Sequence, residues 1–109
     1  HRQIPATGVN HLQHDCVRAT GQGLAHIGQA HFRLGQFPEA EKAFLAASAG
    51  QDRELAADAL YNTGNALFEQ GRYLDSISAY DRALEIRADD EDAIVNRDLA
   101  QRRYEELIE

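Results

Sequence analysis

The stretch GNALFEQGRYLDSISAYDRALEI, residues 64–86, decides the fold, because an earlier stretch has the same spacing. Residues 28–48, GQAHFRLGQFPEAEKAFLAAS, place glycines, aromatic residues and alanines in the same register at an offset of 36 residues (28 against 64). The matched positions are Leu24 and Leu60, Gly28 and Gly64, Ala30 and Ala66, Phe32 and Phe68, Gly35 and Gly71, Phe37 and Tyr73, Phe44 and Tyr80, and Ala47 and Ala83. Repeats of this length are typical of stacked supersecondary units. The sequence therefore predicts two copies of one structural unit.

Each copy has the periodicity of two helices. In the second copy, residues spaced at i, i+4, i+7 and i+8 lie on one face of a helix: Leu60, Gly64, Leu67 and Phe68. A second stripe with helical spacing begins after Gly71, and it consists of Tyr73, Ile77, Tyr80 and Leu84. Each copy is therefore predicted to form an antiparallel helix pair.

Two glycines and a proline mark the turn inside each pair. Gly35 and Gly71 stand where a helix stops, so we expect a positive φ at both positions. Pro38 follows the first of these turns and is expected at the start of a helix, where a missing N–H has no cost.

Gly28 and Gly64 lie inside predicted helices, where glycine costs about 1 kcal/mol relative to alanine. A residue without a side chain lets the partner helix approach closely, and a large aromatic ring then fills the space. We therefore expect Tyr80 to pack near Gly64 and Phe44 to pack near Gly28.

Residues 57–90, ADALYNTGNALFEQGRYLDSISAYDRALEIRADD, resemble one complete tetratricopeptide repeat. The small, aromatic and glycine positions of that pattern are met by Leu60, Gly64, Leu67, Gly71, Tyr73, Tyr80 and Ala83. The sequence departs from the pattern at Ser76, where alanine is usual, and at Ala88, where proline usually closes the repeat. Residues 21–48 match a second, degenerate repeat. The resemblance implies an all-α fold, a right-handed solenoid of antiparallel helix pairs with a C-terminal capping helix.

The predicted layout has four segments: a leading segment at 1–20, a degenerate repeat at 21–50, a repeat at 51–90 and a capping helix at 91–109. The capping helix is expected to begin at Asp89 or Asp90, because aspartate is a favoured N-cap. Its charged face would meet water. In the leading segment, a short helix is one of two readings, based on the helical spacing of Val9, Leu12, Cys16 and Ala19.

Residues 50–103 are similar to the repeat segment of bacterial von Willebrand A–tetratricopeptide proteins of the aerotolerance-operon type. That resemblance implies a parent protein associated with the bacterial inner membrane, or periplasmic, whose repeat segment handles partners. Without it, a cytoplasmic location is the alternative, and the sequence leaves the location open. The opening HRQIPATG, without an initiator methionine, is interpreted as the start of a piece excised or processed from a longer chain.

Composition excludes several classes of function. The formal net charge of −7 and the lack of a basic stripe argue against a nucleic-acid partner. The single Cys16 cannot form an internal disulfide. No apolar run reaches about 18 residues, so this segment is not expected to insert into a membrane.

By the geometry of the family, the first helix of each pair lines a concave groove. The residues predicted to line it are Gln29, Arg33, Asp58, Tyr61, Asn62, Asn65, Glu69 and Asn96. Asparagine amides offer donors and an acceptor to the backbone of an extended peptide. Two alternatives stay open: these are ordinary solvent-facing residues, or Asn62 bonds a backbone group of the adjacent helix.

Neither metal, cofactor nor catalysis is predicted. His11, His14 and Cys16 do not have a recognised zinc spacing, and His26 with His31 does not either. The carboxylates occupy outward helix positions, and no nucleophile, base and acid can be assembled from spacing alone. The sequence predicts a protein without enzymatic activity.

Two functions remain: a protein- or peptide-binding adaptor that uses the groove, and a structural self-assembly module that forms homo-oligomers. The family's clamp for acidic chaperone tails is not expected, because only Asn62 matches it and Asp92 would repel such a tail. Self-association would use apolar residues of the last helix: Val95, Leu99, Tyr104 and Ile108.

Overall fold

A computed structural model describes residues 21–109, which form five helices and no strand. Helix α1 covers residues 21–33, and the others are α2 (Phe37–Ala47), α3 (Arg53–Glu69), α4 (Tyr73–Ile86) and α5 (Glu91–Ile108). The connections are short, and consecutive helices from α2 to α5 pack against one another, while α5 also contacts α3. The prediction of an all-α fold of helix pairs is confirmed. The leading segment, with its candidate helix and with His11, His14 and Cys16, lies outside the described residues.

The two sequence copies form the same local structure at the turn within each pair. The rings of Phe32 and Phe37 meet edge to face across the α1–α2 turn, with centroids 5.0 Å apart. Phe68 and Tyr73 repeat this contact across the α3–α4 turn at 5.2 Å. An edge-to-face pair stabilises beyond the area it buries, so each turn is held by its own aromatic pair.

Both turn glycines adopt the predicted conformation. Gly35 has φ of 76° and Gly71 has φ of 75°, in the left-handed region that glycine enters without steric cost. Pro38 lies in the first turn of α2, as expected. These local predictions are confirmed.

The two glycines inside helices are sites of close approach, as predicted. A Cβ placed on Gly28 would lie 2.6 Å from Cδ1 of Phe44, and one on Gly64 would lie 2.5 Å from Cε1 of Tyr80. Phe44 and Tyr80 are almost completely buried. Each aromatic ring therefore occupies the space left by the missing side chain, and the two helices of the pair pack closely there.

Alanine makes up most of the core, and its larger members are the rings of Phe44 and Tyr80 with the side chains of Leu60 and Leu67. The buried alanines are Ala40, Ala43, Ala47, Ala56, Ala57, Ala59, Ala66, Ala79, Ala83, Ala93 and Ala100. Small side chains let the helices lie close together, and this is why the few large rings must fit specific gaps. The core therefore runs along the seams between successive helices.

Ser76, a departure from the family pattern, is fully buried and hydrogen-bonded. Its hydroxyl donates to the carbonyl oxygen of Gly64 at 2.8 Å. The equivalent position in the first copy is Ala40, which has no polar group to satisfy. A buried hydroxyl without a partner would be destabilising, so the contact with Gly64 explains why serine is tolerated here.

Aspartates begin the third and fifth helices. Asp52 accepts a hydrogen bond from the backbone N–H of Leu55, and Asp90 accepts one from that of Ala93 at 3.2 Å. Of the two predicted caps for the last helix, Asp90 is therefore the one used. Capping satisfies backbone donors that a helix leaves free at its first turn.

Arg87 joins three helices at one edge of the molecule. Its guanidinium donates to Glu54 at 3.0 Å, to Asp58 at 2.8 Å and to Asp90 at 2.9 Å. Glu54 and Asp58 belong to α3, whereas Asp90 caps α5 and Arg87 follows α4. The five N–H donors of arginine allow one residue to hold all three carboxylates.

Candidate functional site

Three adjoining cavities lie along the first helices of the pairs. The Phe68 cavity, of about 220 Å³, lies between Phe32, Asn65, Phe68, Glu69, Tyr80, Asn96 and Leu99. The Arg33 cavity, of about 210 Å³, is lined by Gln29, Phe32, Arg33, Phe44, Asn62 and Asn65. The Asp58 cavity, of about 230 Å³, is lined by Gln22, Ala25, His26, Gln29, Leu55, Asp58, Ala59 and Asn62.

The cavities share walls, so they form one continuous groove. Phe32 and Asn65 line both the Phe68 and the Arg33 cavity. Gln29 and Asn62 line both the Arg33 and the Asp58 cavity. The three cavities are open to solvent on one side and border α1, α3 and α5.

The predicted groove residues are found in this groove with one exception. Seven of the eight line a cavity: Gln29, Arg33, Asp58, Asn62, Asn65, Glu69 and Asn96. Tyr61 lines none of these three cavities, and its hydroxyl oxygen accepts a hydrogen bond from the Asn96 amide at 3.0 Å. Their role in binding a partner remains a prediction.

A network of side-chain hydrogen bonds crosses the groove from α4 to α5. The Tyr80 hydroxyl donates to Oδ1 of Asn65, and Nδ2 of Asn96 donates to the same oxygen at 3.1 Å. Tyr61 and Tyr80 lie side by side, with ring centroids 5.8 Å apart. The network uses the oxygen of Asn65 and the nitrogen of Asn96. Among the described residues, the nitrogen of Asn65 and the oxygen of Asn96 have no further partner, so both remain available to a ligand.

Tyr80 is a floor residue of the Phe68 cavity as well as a core residue. The pKa of its hydroxyl is raised to about 12, mainly by burial and to a lesser extent by the neighbouring Tyr61 and Glu69, while the nearby polar side chains of Ser76 and Asn96 act in the opposite direction. The phenol is therefore neutral at physiological pH and serves as a hydrogen-bond donor. The sequence predicted its packing against Gly64 but not this polar role.

Asn62 differs from the other two groove asparagines. Its amide is half-buried and, within residues 21–109, makes no hydrogen bond to a side chain or to the backbone. The alternative in which Asn62 stabilises an adjacent helix through a backbone group is therefore not seen in this part of the chain. Gln29 and Arg33, on the facing helix, are exposed.

The two groove carboxylates have different surroundings. Asp58 pairs with Arg87 at 2.8 Å, but the same guanidinium also pairs with Glu54 and Asp90, so it offsets the charge of Asp58 only in part. Glu69 is exposed, lines the Phe68 cavity and forms no ion pair with a basic residue of the described part of the chain. Within residues 21–109, the negative charge in the Phe68 cavity thus has no ion-pair partner.

Apolar walls of the groove were not predicted. Phe32, Phe68 and Leu99 line the Phe68 cavity and are half-buried. Phe32 and Phe68 were assigned to the inner face of their helices, and Leu99 to self-association. The signal that could have revealed them is their position three residues beyond Gln29, Asn65 and Asn96, which places each on the same helix face as a groove amide.

A separate apolar surface lies at the far end of α5 and the start of α4. Leu107 and Ile108 are 68% and 63% exposed, Leu74 is 56% exposed, and Tyr104 lines a shallow cavity of about 310 Å³ with Leu74 and Leu107. Val95, near the other end of α5, is 60% exposed. Of the residues predicted to carry self-association, Val95 and Ile108 are thus the exposed ones.

None of the helices in residues 21–109 is both long and apolar enough to cross a bilayer. The same residues contain no cluster of three side chains able to hold a metal ion.

Comparison with known proteins agrees with the helix pairs, turn glycines and glycine–aromatic contacts described above. The family model described as tetratricopeptide repeat matches residues 27–93, more than half of the 109 residues. Curated proteins give no match to the chain. The chain belongs to the tetratricopeptide repeat family, whose helical repeats are scaffolds for protein–protein interaction.

Proposed function

We propose that the chain is a non-catalytic adaptor that holds an extended segment of another protein in the groove between α1, α3 and α5. The observation that carries this proposal is the continuity of the three cavities through Phe32, Asn65, Gln29 and Asn62. A family that forms protein-interaction scaffolds supports the same conclusion.

The polar groups of the groove suit a peptide backbone. An extended segment exposes N–H and C=O groups that must be satisfied when water is removed. Asn62 offers both kinds of group, Asn65 offers its nitrogen and Asn96 offers its oxygen. Asn65 and Asn96 are already held by the network, so less side-chain entropy is lost when the partner binds.

Two features indicate the kind of partner: the net charge of the chain, and the resemblance of residues 50–103 to a bacterial protein family. The net charge of −7 supports a protein partner rather than nucleic acid. The similarity of residues 50–103 to the repeat segment of bacterial von Willebrand A–tetratricopeptide proteins supports an adaptor role in a bacterial protein complex at the membrane. No cofactor is part of the proposal.

The test is a pull-down from bacterial membrane and soluble extracts with the chain and two variants. The groove variant is Gln29→Ala/Arg33→Ala/Asn62→Ala, which leaves the Tyr61–Asn65–Tyr80–Asn96 network intact. The control is Arg82→Ala/Glu85→Ala, two exposed residues of α4 that line no described cavity. Synthetic segments of any captured protein are then titrated by calorimetry.

We expect a protein that the parent and the control retain and the groove variant loses, with one short segment reproducing the binding. Equal retention by all three proteins would contradict the groove proposal.

A second candidate function, structural self-assembly, is supported by the exposed apolar residues of α4 and α5: Leu74, Val95, Leu107 and Ile108. Sedimentation over a range of concentrations tests it, with Leu107→Glu/Ile108→Glu as the variant. Concentration-dependent association that the variant abolishes would favour assembly, whereas a monomer at all concentrations would contradict it.

A further inference from the structure

We propose that the Phe68 cavity receives the side chain of a lysine or arginine from the bound partner segment. This inference rests on the proposed function, since it names the partner chemistry of the same groove. It follows from two features of the cavity: apolar walls that match an aliphatic stem, and one carboxylate that matches a cationic head.

The walls are suited to a long, unbranched stem. Phe32, Phe68 and Leu99 line the cavity, and each is half-buried. The rings of Phe32 and Phe68 are held in place by edge contacts with Phe37 and Tyr73. Lysine and arginine bury their methylene groups against such surfaces while the charged group stays near water. Aromatic rings also attract a cation that lies over their faces.

Glu69 supplies the charge that selects the head group. It lines the cavity and is exposed, so its carboxylate is accessible from the groove. It lines the same cavity as Tyr80, the residue of the cavity floor. The carboxylate is therefore near both the aromatic walls and the mouth.

Within residues 21–109, no basic residue forms an ion pair with Glu69. The arginine ion pairs in the described residues join other carboxylates: Arg72 with Glu41 and Asp75, Arg87 with Glu54, Asp58 and Asp90, Arg97 with Asp81 and Asp98, and Arg103 with Glu106. Arg33 lines the neighbouring cavity without forming an ion pair with Glu69 in this part of the chain. The carboxylate of Glu69 is therefore open to a cation of the partner.

Other side chains fit the cavity less well. An acidic side chain would meet the charge of Glu69 at short range. A purely apolar side chain would remove water from that carboxylate without replacing the lost hydrogen bonds. Because Glu69 is exposed, the ion pair contributes modestly, and together with the ring contacts we expect a preference of about fivefold for lysine over a neutral side chain of the same shape.

The experiment uses a random-peptide library displayed on phage and four forms of the chain. These are the parent, Glu69→Lys, the charge-matched control Glu85→Lys on α4, and the groove variant Gln29→Ala/Arg33→Ala/Asn62→Ala. Selected peptides are then synthesised with lysine or norleucine at the enriched position, and binding is measured by fluorescence anisotropy for the parent and for Glu69→Gln.

We expect the parent and Glu85→Lys to select peptides with a recurrent lysine or arginine, and Glu69→Lys to select aspartate or glutamate at that position. Norleucine should weaken binding to the parent about fivefold and weaken binding to Glu69→Gln by a smaller factor, because only the ring contacts then favour lysine. Peptides that depend on the groove but show no basic residue, or no response to Glu69→Lys, would overturn this inference and leave the adaptor proposal standing. If no selected peptide distinguishes the parent from either the groove variant or Glu69→Lys, both proposals fail.

Discussion

The Cα of Gly64 faces the ring of Tyr80 so closely that a Cβ at this position would lie 2.5 Å from Cε1. The same relationship joins Gly28 to Phe44 at 2.6 Å, at the equivalent place in the first copy. In each copy, the closest approach of the two helices therefore depends on a position that has no side chain.

Gly64→Ala should destabilise the fold although alanine is the better helix former. The added methyl forces a shift of the buried Tyr80 ring, and overpacking of this kind costs about 1–3 kcal/mol, which exceeds the gain of about 1 kcal/mol in helix propensity. Gly64→Leu should cost more. Urea denaturation followed by circular dichroism measures the free energy of unfolding.

The matched control is Gly23→Ala in α1, where a Cβ would meet nothing within 4 Å. That variant should be equally stable or more stable, and a Gly64→Ala variant as stable as Gly23→Ala would contradict the packing account.

Tyr80 should make the fold sensitive to alkaline pH. Its pKa is raised to about 12 in the folded state, compared with about 10 in an unfolded chain. Because the folded state favours the neutral form of Tyr80, this residue's contribution to the free energy of unfolding is complete below about pH 10 and is lost as the pH rises towards 12. Ultraviolet titration of the chain's four tyrosines should show one that ionises later than the others.

Tyr80→Phe provides the control for this titration. It should remove the late ionisation and flatten the alkaline loss of stability, at a cost of about 1 kcal/mol at neutral pH from the lost bond to Asn65. If the late ionisation persisted in Tyr80→Phe, it would belong to another tyrosine, and the assignment to Tyr80 would be wrong.

Asp90 should contribute to stability at neutral pH and lose that contribution in acid. Burial, the largest single influence, raises its pKa, but the bond from Arg87, the bond from the Ala93 N–H and the charge of Arg87 together outweigh it, so the pKa lies below its usual value. The stabilisation is therefore present above about pH 4 and lost as the pH falls through the folded-state pKa.

Asp90→Asn isolates the charge, because asparagine can still cap α5. The variant should be less stable than the parent at neutral pH, and the difference should shrink in acid, as followed by thermal unfolding at a series of pH values. Asp89→Asn, an exposed neighbour, is the control. A constant difference between Asp90→Asn and the parent at all pH values would contradict the assignment.

Asn96→Ala should loosen α5. The substitution removes the amide that donates to both Tyr61 and Asn65, at a cost of about 1–2 kcal/mol. Hydrogen exchange should become faster in α5 and stay unchanged in α1 and α2. Asn62→Ala is the matched control, since its side chain has no hydrogen bond within residues 21–109, and it should change stability by less than about 0.5 kcal/mol. Similar exchange in the two variants would show that the network does not hold α5.

The helix pairs, their turns and their closest contacts could be predicted from the sequence, because each depends on spacing within one copy. Gly71 has a positive φ at the turn after α3, a conformation that glycine adopts readily. Gly64 leaves a gap in its helix that a nearby large side chain fills. The first copy has the same two features, at Gly35 and at Gly28. Those features are local, so the sequence by itself determined them.

The chemistry of the groove was decided by the tertiary structure. The Tyr80–Asn65, Asn65–Asn96 and Tyr61–Asn96 bonds join residues 15, 31 and 35 positions apart in the chain. Arg87 likewise reaches carboxylates on two other helices. The sequence placed these residues on suitable helix faces, but which of their atoms are used internally and which remain for a partner depends on how close the helices come in three dimensions. The same holds for Glu69: within residues 21–109 the folded helices bring Arg72, Arg87 and Arg97 to other carboxylates, and none of the ion pairs includes Glu69.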